Sequence, residues 1–100
     1  MNKNKKEFLQ EKLSPLVLEF FSAKNRKTDF NIEEIFNAYK KARGIYFQEQ
    51  ERRKNNKDYA MASWDSIMIN NKPSFFESPK EWLSFVSKNK ENLKEIIKEC

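Results

Sequence analysis

The chain of 100 residues contains no histidine, one cysteine, one glycine and three prolines. Each scarcity excludes something. Without an imidazole there is no Ser–His or Cys–His nucleophile pair, and no metal site that needs a histidine ligand. The one thiol, Cys100, has no partner for an internal disulfide and cannot alone make a thiolate metal site. The one glycine, Gly44, leaves no Gly-rich loop to wrap a phosphate. Sheet-rich small domains also use glycine freely in hairpin turns, so its scarcity favours helices. Aliphatic runs are short, as in Leu16-Val17-Leu18, far less than a bilayer span requires, and the first residues lack the apolar block of a secretory signal. The expectation is an all-α, cytoplasmic protein that is not an enzyme and takes no cofactor or metal.

What is present is bulk and charge. Charged residues make up 35% of the chain, but 14% is aromatic, including nine Phe and two Trp, which is enough to build a core. The length suits one compact domain over residues 1–100, one that buries about two-thirds of its unfolded surface. The net charge of +5 is uneven: residues 1–57 carry fourteen basic and eight acidic side chains, residues 58–100 six and seven.

Apolar spacing marks out four to six helices. Phe8/Leu9, Leu13, Leu16/Val17 and Phe20/Phe21 recur at helical steps through residues 3–24, with Ser14-Pro15 reading as an N-cap and first helical position that breaks the run; a single helix kinked at Pro15 is the alternative, since the stripe keeps its phase. A polar link over 25–29 follows. Asn31 with Glu34 forms a capping-box pattern, Phe30 with Ile35 the matching hydrophobic staple, and Ile32, Ile35/Phe36, Tyr39, Ala42 and Tyr46 continue one face. Residues 48–58 hold no apolar side chain and read as a solvated helical extension or a loop, with a break at Asn55-Asn56. A helix over about 58–70 carries Ala60, Trp64, Ile67 and Met68. Ser78-Pro79-Lys80-Glu81 is a strong helix start, with Trp82, Leu83 and Val86 facing inward, and Asn89 is a candidate cap for a last helix bearing Leu93, Ile96 and Ile97.

Carboxylates offer little chemistry. Glu91, Glu95 and Glu99 share a helical face, but Lys94 and Lys98 follow at three-residue spacing, a pattern of ordinary intrahelical ion pairs. Glu33/Glu34 and Glu77/Glu81 sit where acids complement helix N-termini. Trp64 and Trp82 read as core pillars.

Two surfaces remain as binding candidates. Ile45, Tyr46 and Phe47 are consecutive, so one helix face cannot bury all three. Phe75-Phe76 lies in a connection between prolines, and Phe85 falls off the stripe of its helix. Such surplus points to an exposed apolar patch of the kind that docks proteins, and Ile45, Phe47, Phe75, Phe76 and Phe85 are its candidate residues. The alternative surface is the basic stretch Lys40, Lys41, Arg43, Arg52, Arg53, Lys54 and Lys57, a candidate for nucleic acid. Those cations spread around the helix and are interrupted by Glu49 and Glu51, and no short turn joins two capped helices as in a helix-turn-helix. The expected function is therefore a non-catalytic interaction module (an adaptor, inhibitor or small assembly subunit) with a protein partner or self-association. A basic nucleic-acid-binding protein is the alternative.

Overall fold

A computed structural model describes residues 4–24 and 30–99. The polar link over 25–29 and the thiol of Cys100 lie outside the described residues. No strand occurs among the described residues, and the helices run in the order α1 (Lys5–Lys12), α2 (Ser14–Ala23), α3 (Ile32–Asn55), α4 (Trp64–Asn70), α5 (Pro79–Lys88) and α6 (Lys90–Glu99). The fold is an all-α bundle.

Proline shapes the first two helices. Leu13 keeps a right-handed helical backbone, its N–H bonds Leu9 O at 2.8 Å, and its carbonyl accepts from Leu16 and Val17 at 3.1 and 3.2 Å. Ser14 is the first residue of α2 rather than its cap, and no side chain caps that helix. Pro15 lacks only an N–H that has no partner in a first turn, so the apolar stripe passes the junction in phase and Leu9, Leu13, Val17, Phe20 and Phe21 are all buried.

α3 is the backbone of the bundle. Its 24 residues span about 36 Å at about 1.5 Å per residue. Asn31 Oδ1 accepts from the N–H groups of Glu33 and Glu34 at 2.9 and 3.3 Å, as a cap should. The Glu34 carboxylate also reaches across the fold, accepting from Ser74 N–H at 3.0 Å and thereby tying the α4–α5 connection to α3. The N-terminal half of α3 buries Ile32, Ile35, Phe36, Tyr39 and Ala42 against α1 and α4. Beyond Gly44 the helix is mostly solvated and ends at Asn55, with Asn56 as C-cap.

The helix expected over 58–70 is shorter. It starts at Trp64, capped by Ser63, because the segment before it is held non-helical by one acid of α3. Glu49 accepts from the Tyr59 hydroxyl and, at 3.0 Å, from Ala62 N–H, while Arg52 Nη1 lies 3.4 Å from the same carboxylate. Tyr59 and Asp58 also bond back to Asn56, closing a turn.

The α4–α5 connection is not a polar loop. Lys72 Nζ donates to the carbonyls of Pro73 and Phe76 at 3.1 and 2.6 Å, which fixes a turn that drives Phe76 into the core. Phe76 is fully buried and meets Phe21, Trp82 and Phe85 with ring centroids 5.3, 4.9 and 5.5 Å away. The Trp82 indole N–H donates to Met68 O at 3.0 Å, so its polar edge is satisfied inside.

α5 is rotated from the expected orientation. Trp82, Phe85 and Val86 face the core while Leu83 turns halfway outward. The stripe then runs through Asn89, Leu93 and Ile96 of α6. Asn89 joins the two helices: its side-chain amide donates to Phe85 O at 3.0 Å at the end of α5, and its carbonyl accepts from Leu93 N–H at 2.9 Å at the start of α6. No helix among the described residues is long and apolar enough to cross a membrane.

Candidate docking groove

Helical spacing that turns one stripe inward leaves a second stripe outside it. On α3 the residues flanking the core face are Tyr39, Arg43, Tyr46 and Phe47. On α5 and α6 the stripe next to Trp82/Phe85/Asn89/Leu93 is Lys80, Leu83/Ser84, Ser87, Lys90 and Lys94. These two stripes face each other across a cleft of about 710 Å³, with Trp64 and Asp65 at the start of α4 between them. The volume falls within the usual ligand-cleft range of about 300–1,000 Å³.

The cleft grades from sealed to open. Tyr39 and Val86 are buried at its base, Tyr46, Trp64 and Leu83 are half-buried along its walls, and Phe47 at the lip is 45% exposed. Trp64 stands edge-on to Tyr46, with centroids 5.1 Å apart at 88°, and to Tyr39 at 6.2 Å and 77°. Arg43 lies over the Phe47 ring, 4.7 Å from its centroid. Tyr39, Tyr46 and Trp64 therefore brace one another, and Phe47 stands beside them at the lip, against Tyr46 at 6.1 Å and under Arg43.

The rim is cationic. Arg43, Lys80, Lys90 and Lys94 line the cleft against one carboxylate, Asp65. Among the described residues no ion pair engages Lys80, Lys90 or Lys94, and the Glu91–Lys94 and Glu95–Lys98 pairs expected along α6 are not closed. An exposed pair gains too little to hold two long side chains in one geometry. Burial raises the pKa of the Tyr39 phenol; Arg43 opposes this and Glu91 adds to it, so the hydroxyl at the base stays neutral through the physiological range.

Comparison with known proteins found no matching family model, no similar curated protein and no similar solved structure.

The structure divides the residues singled out from sequence. Phe47 lies at the lip of the cleft. Ile45 is half-buried against the core on another side of α3. Phe75 is half-buried in the opposite aromatic cluster, 6.2 Å from Phe30 and 5.3 Å from Phe76. Phe76 and Phe85 are 0% exposed, which removes them as surface anchors: the clamped 73–76 turn and the rotation of α5 deliver both rings to the interior.

The basic stretch scatters. Arg43 joins the cleft, and Lys40 lies over the Phe36 ring at 5.8 Å. Lys41 borders a separate polar cleft beside the Glu34–Ser74 contact. Arg52 is held by Glu49 and Tyr59, while Arg53, Lys54 and Lys57 are exposed around the end of α3. Sequence reading missed Tyr46, Trp64, Lys80, Lys90 and Lys94 as a set. The available signal was the Lys80/Ser84/Ser87 spacing followed by Lys90 and Lys94, cations and small side chains along one side of 80–94, with Glu91 as the interrupting acid.

No group of three or more His, Cys, Asp or Glu residues stands ready to hold a metal ion among the described residues.

Proposed function

We propose that this chain is a non-catalytic docking module, acting in the cytoplasm, that binds a partner protein in the cleft between α3 and α5–α6. One observation carries the reading: most of the aromatic surplus is sealed in the core, yet Tyr46, Trp64 and Phe47 wall an open cleft with Phe47 exposed at its lip. An exposed aromatic ring beside half-buried ones is the kind of anchor around which protein interfaces concentrate their binding energy. The scatter of Lys40, Lys41 and Arg52 to separate settings weighs against a nucleic-acid track along α3.

The test is affinity capture from native lysate, with and without nuclease, using the wild-type chain, Phe47→Asp and the triple variant Arg53→Glu/Lys54→Glu/Lys57→Glu. Circular dichroism first establishes that each variant is folded. The expected result is a protein retained after nuclease treatment, lost with Phe47→Asp and kept with the triple variant. Retention that disappears with nuclease or with the triple variant, or that survives Phe47→Asp, would remove the proposal.

A further inference from the structure

Resting on that docking reading, we infer that the occupant of the cleft is an acidic segment of the partner protein. It presents a bulky apolar side chain to Phe47, Trp64 and Leu83, and carboxylates to Lys80, Lys90 and Lys94. Four cations from three helices, Arg43, Lys80, Lys90 and Lys94, line the cleft with one carboxylate, Asp65, and a second acid, Glu91, is near enough to act on the Tyr39 phenol at the base, so cations still outnumber acids about the cleft. The three lysines hold no ion pair among the described residues. Residues 58–100 carry one more acidic than basic side chain, so this rim does not simply mirror a basic stretch of sequence. The fold gathers three lysines of a nearly neutral segment on one side, opposite Arg43.

Other occupants fit less well. A nucleic acid strand would stack its bases on open ring faces. Here Trp64 is half-buried against Tyr46 and Tyr39, and Arg43 covers one face of Phe47, the most exposed of these rings. A second copy of this chain would bring a further net charge of +5 to a cationic rim. An acidic peptide answers both features, because its carboxylates meet the lysines while its apolar side chain is desolvated among the rings.

A displayed library of random peptides, selected on the immobilised full chain, tests this without presupposing a sequence. The expected pool is enriched in Asp and Glu around a Phe, Trp, Leu or Ile. Its binding should weaken about tenfold or more with Lys90→Glu/Lys94→Glu, and more mildly with Lys90→Gln/Lys94→Gln. Raising salt from about 0.1 M to about 1 M, which shortens the Debye length from about 10 to about 3 Å, should weaken it further. Arg53→Glu/Lys54→Glu should leave it within about twofold, since those cations lie outside the cleft. A pool without acidic enrichment, lost with Phe47→Asp but indifferent to charge reversal at 90 and 94, overturns the acidic occupant and leaves docking standing. A pool indifferent to Phe47→Asp and Phe47→Ala alike, or no enriched pool at all, overturns the acidic occupant; lysate capture then decides separately whether docking survives. Displacement of the pool by oligo-dT or oligo-rU at lower concentration than by a Glu-rich peptide overturns the inference in favour of nucleic acid.

Discussion

Two clusters of aromatic rings occupy this small bundle, and they meet different fates. Around Phe76 the rings of Phe20, Phe21, Trp82 and Phe85 are buried, with Phe30 and Phe75 closing the side. Around Trp64, the rings of Tyr39, Tyr46 and Phe47 pass from buried to 45% exposed within three turns of α3. Residue type does not account for the difference. Phe76 sits in a connection, where exposure is the ordinary expectation, and Phe47 sits in a regular helix. What separates them is cover. Lys72 and Glu34 clamp the 73–76 turn over the first cluster, whereas α5 and α6 present lysines and serines toward the second.

Truncating one ring from each cluster should have very different costs. Phe76→Ala should cost about 3–5 kcal/mol, the usual range for a buried phenylalanine, and Phe47→Ala less than about 1 kcal/mol, measured by urea unfolding. For a domain with about 5–15 kcal/mol of total stability, the first loss approaches unfolding and the second is minor. Similar losses for the two would mean that the second cluster is as structural as the first.

A smaller and local effect is expected from acid. The Glu49 carboxyl is held below its ordinary value of 4.5, first by the Tyr59 hydroxyl, then by Ala62 N–H and Arg52. A depressed carboxyl stabilises the fold fully above its unfolded value and loses that contribution as pH falls through its lower folded value. The link from Asn56 to Ser63 should therefore loosen below about pH 4.5, with the Ala62 amide losing hydrogen-exchange protection while the Phe76 cluster stays protected. In Glu49→Gln the Ala62 amide should lose this pH dependence. Ala62 protection that is flat with pH in the wild-type chain would remove Glu49 as the tie.

The smallest expected change is a gain. A Cβ at Gly44 meets nothing within 4 Å, and the residue lies inside α3. Gly44→Ala should stabilise by about 0.5–1 kcal/mol in a thermal melt, because alanine loses less backbone freedom in a helix. Binding at the cleft should be unchanged by that substitution, which sharpens the contrast between the helix as scaffold and its Phe47 side as the docking surface. A loss of binding in folded Gly44→Ala would mean that the docking surface extends around α3 to the glycine.

Much of the fold was legible because its signals are local. The caps at Asn31 and Ser78, the proline at the start of α2 and the stop at Asn55-Asn56 all act within a few residues, and the structure places helix ends there. The start of α4 was not legible. It depends on Glu49 reaching Ala62, 13 residues away, and no helical spacing encodes that contact. The same holds for α5, whose rotation was decided by Met68 O receiving the Trp82 indole and by Phe76 filling the space beside Phe85.

Short stretches of sequence suffice for the helical character of this chain, for the ends of most helices and for its lack of histidine, because propensity, capping and residue supply are local properties. Only the tertiary structure decided which rings are hidden and which cations stand together. Burial and charge clustering depend on contacts between helices far apart along the chain: Lys80, Lys90 and Arg43 become neighbours of one cleft only after α3, α5 and α6 have packed.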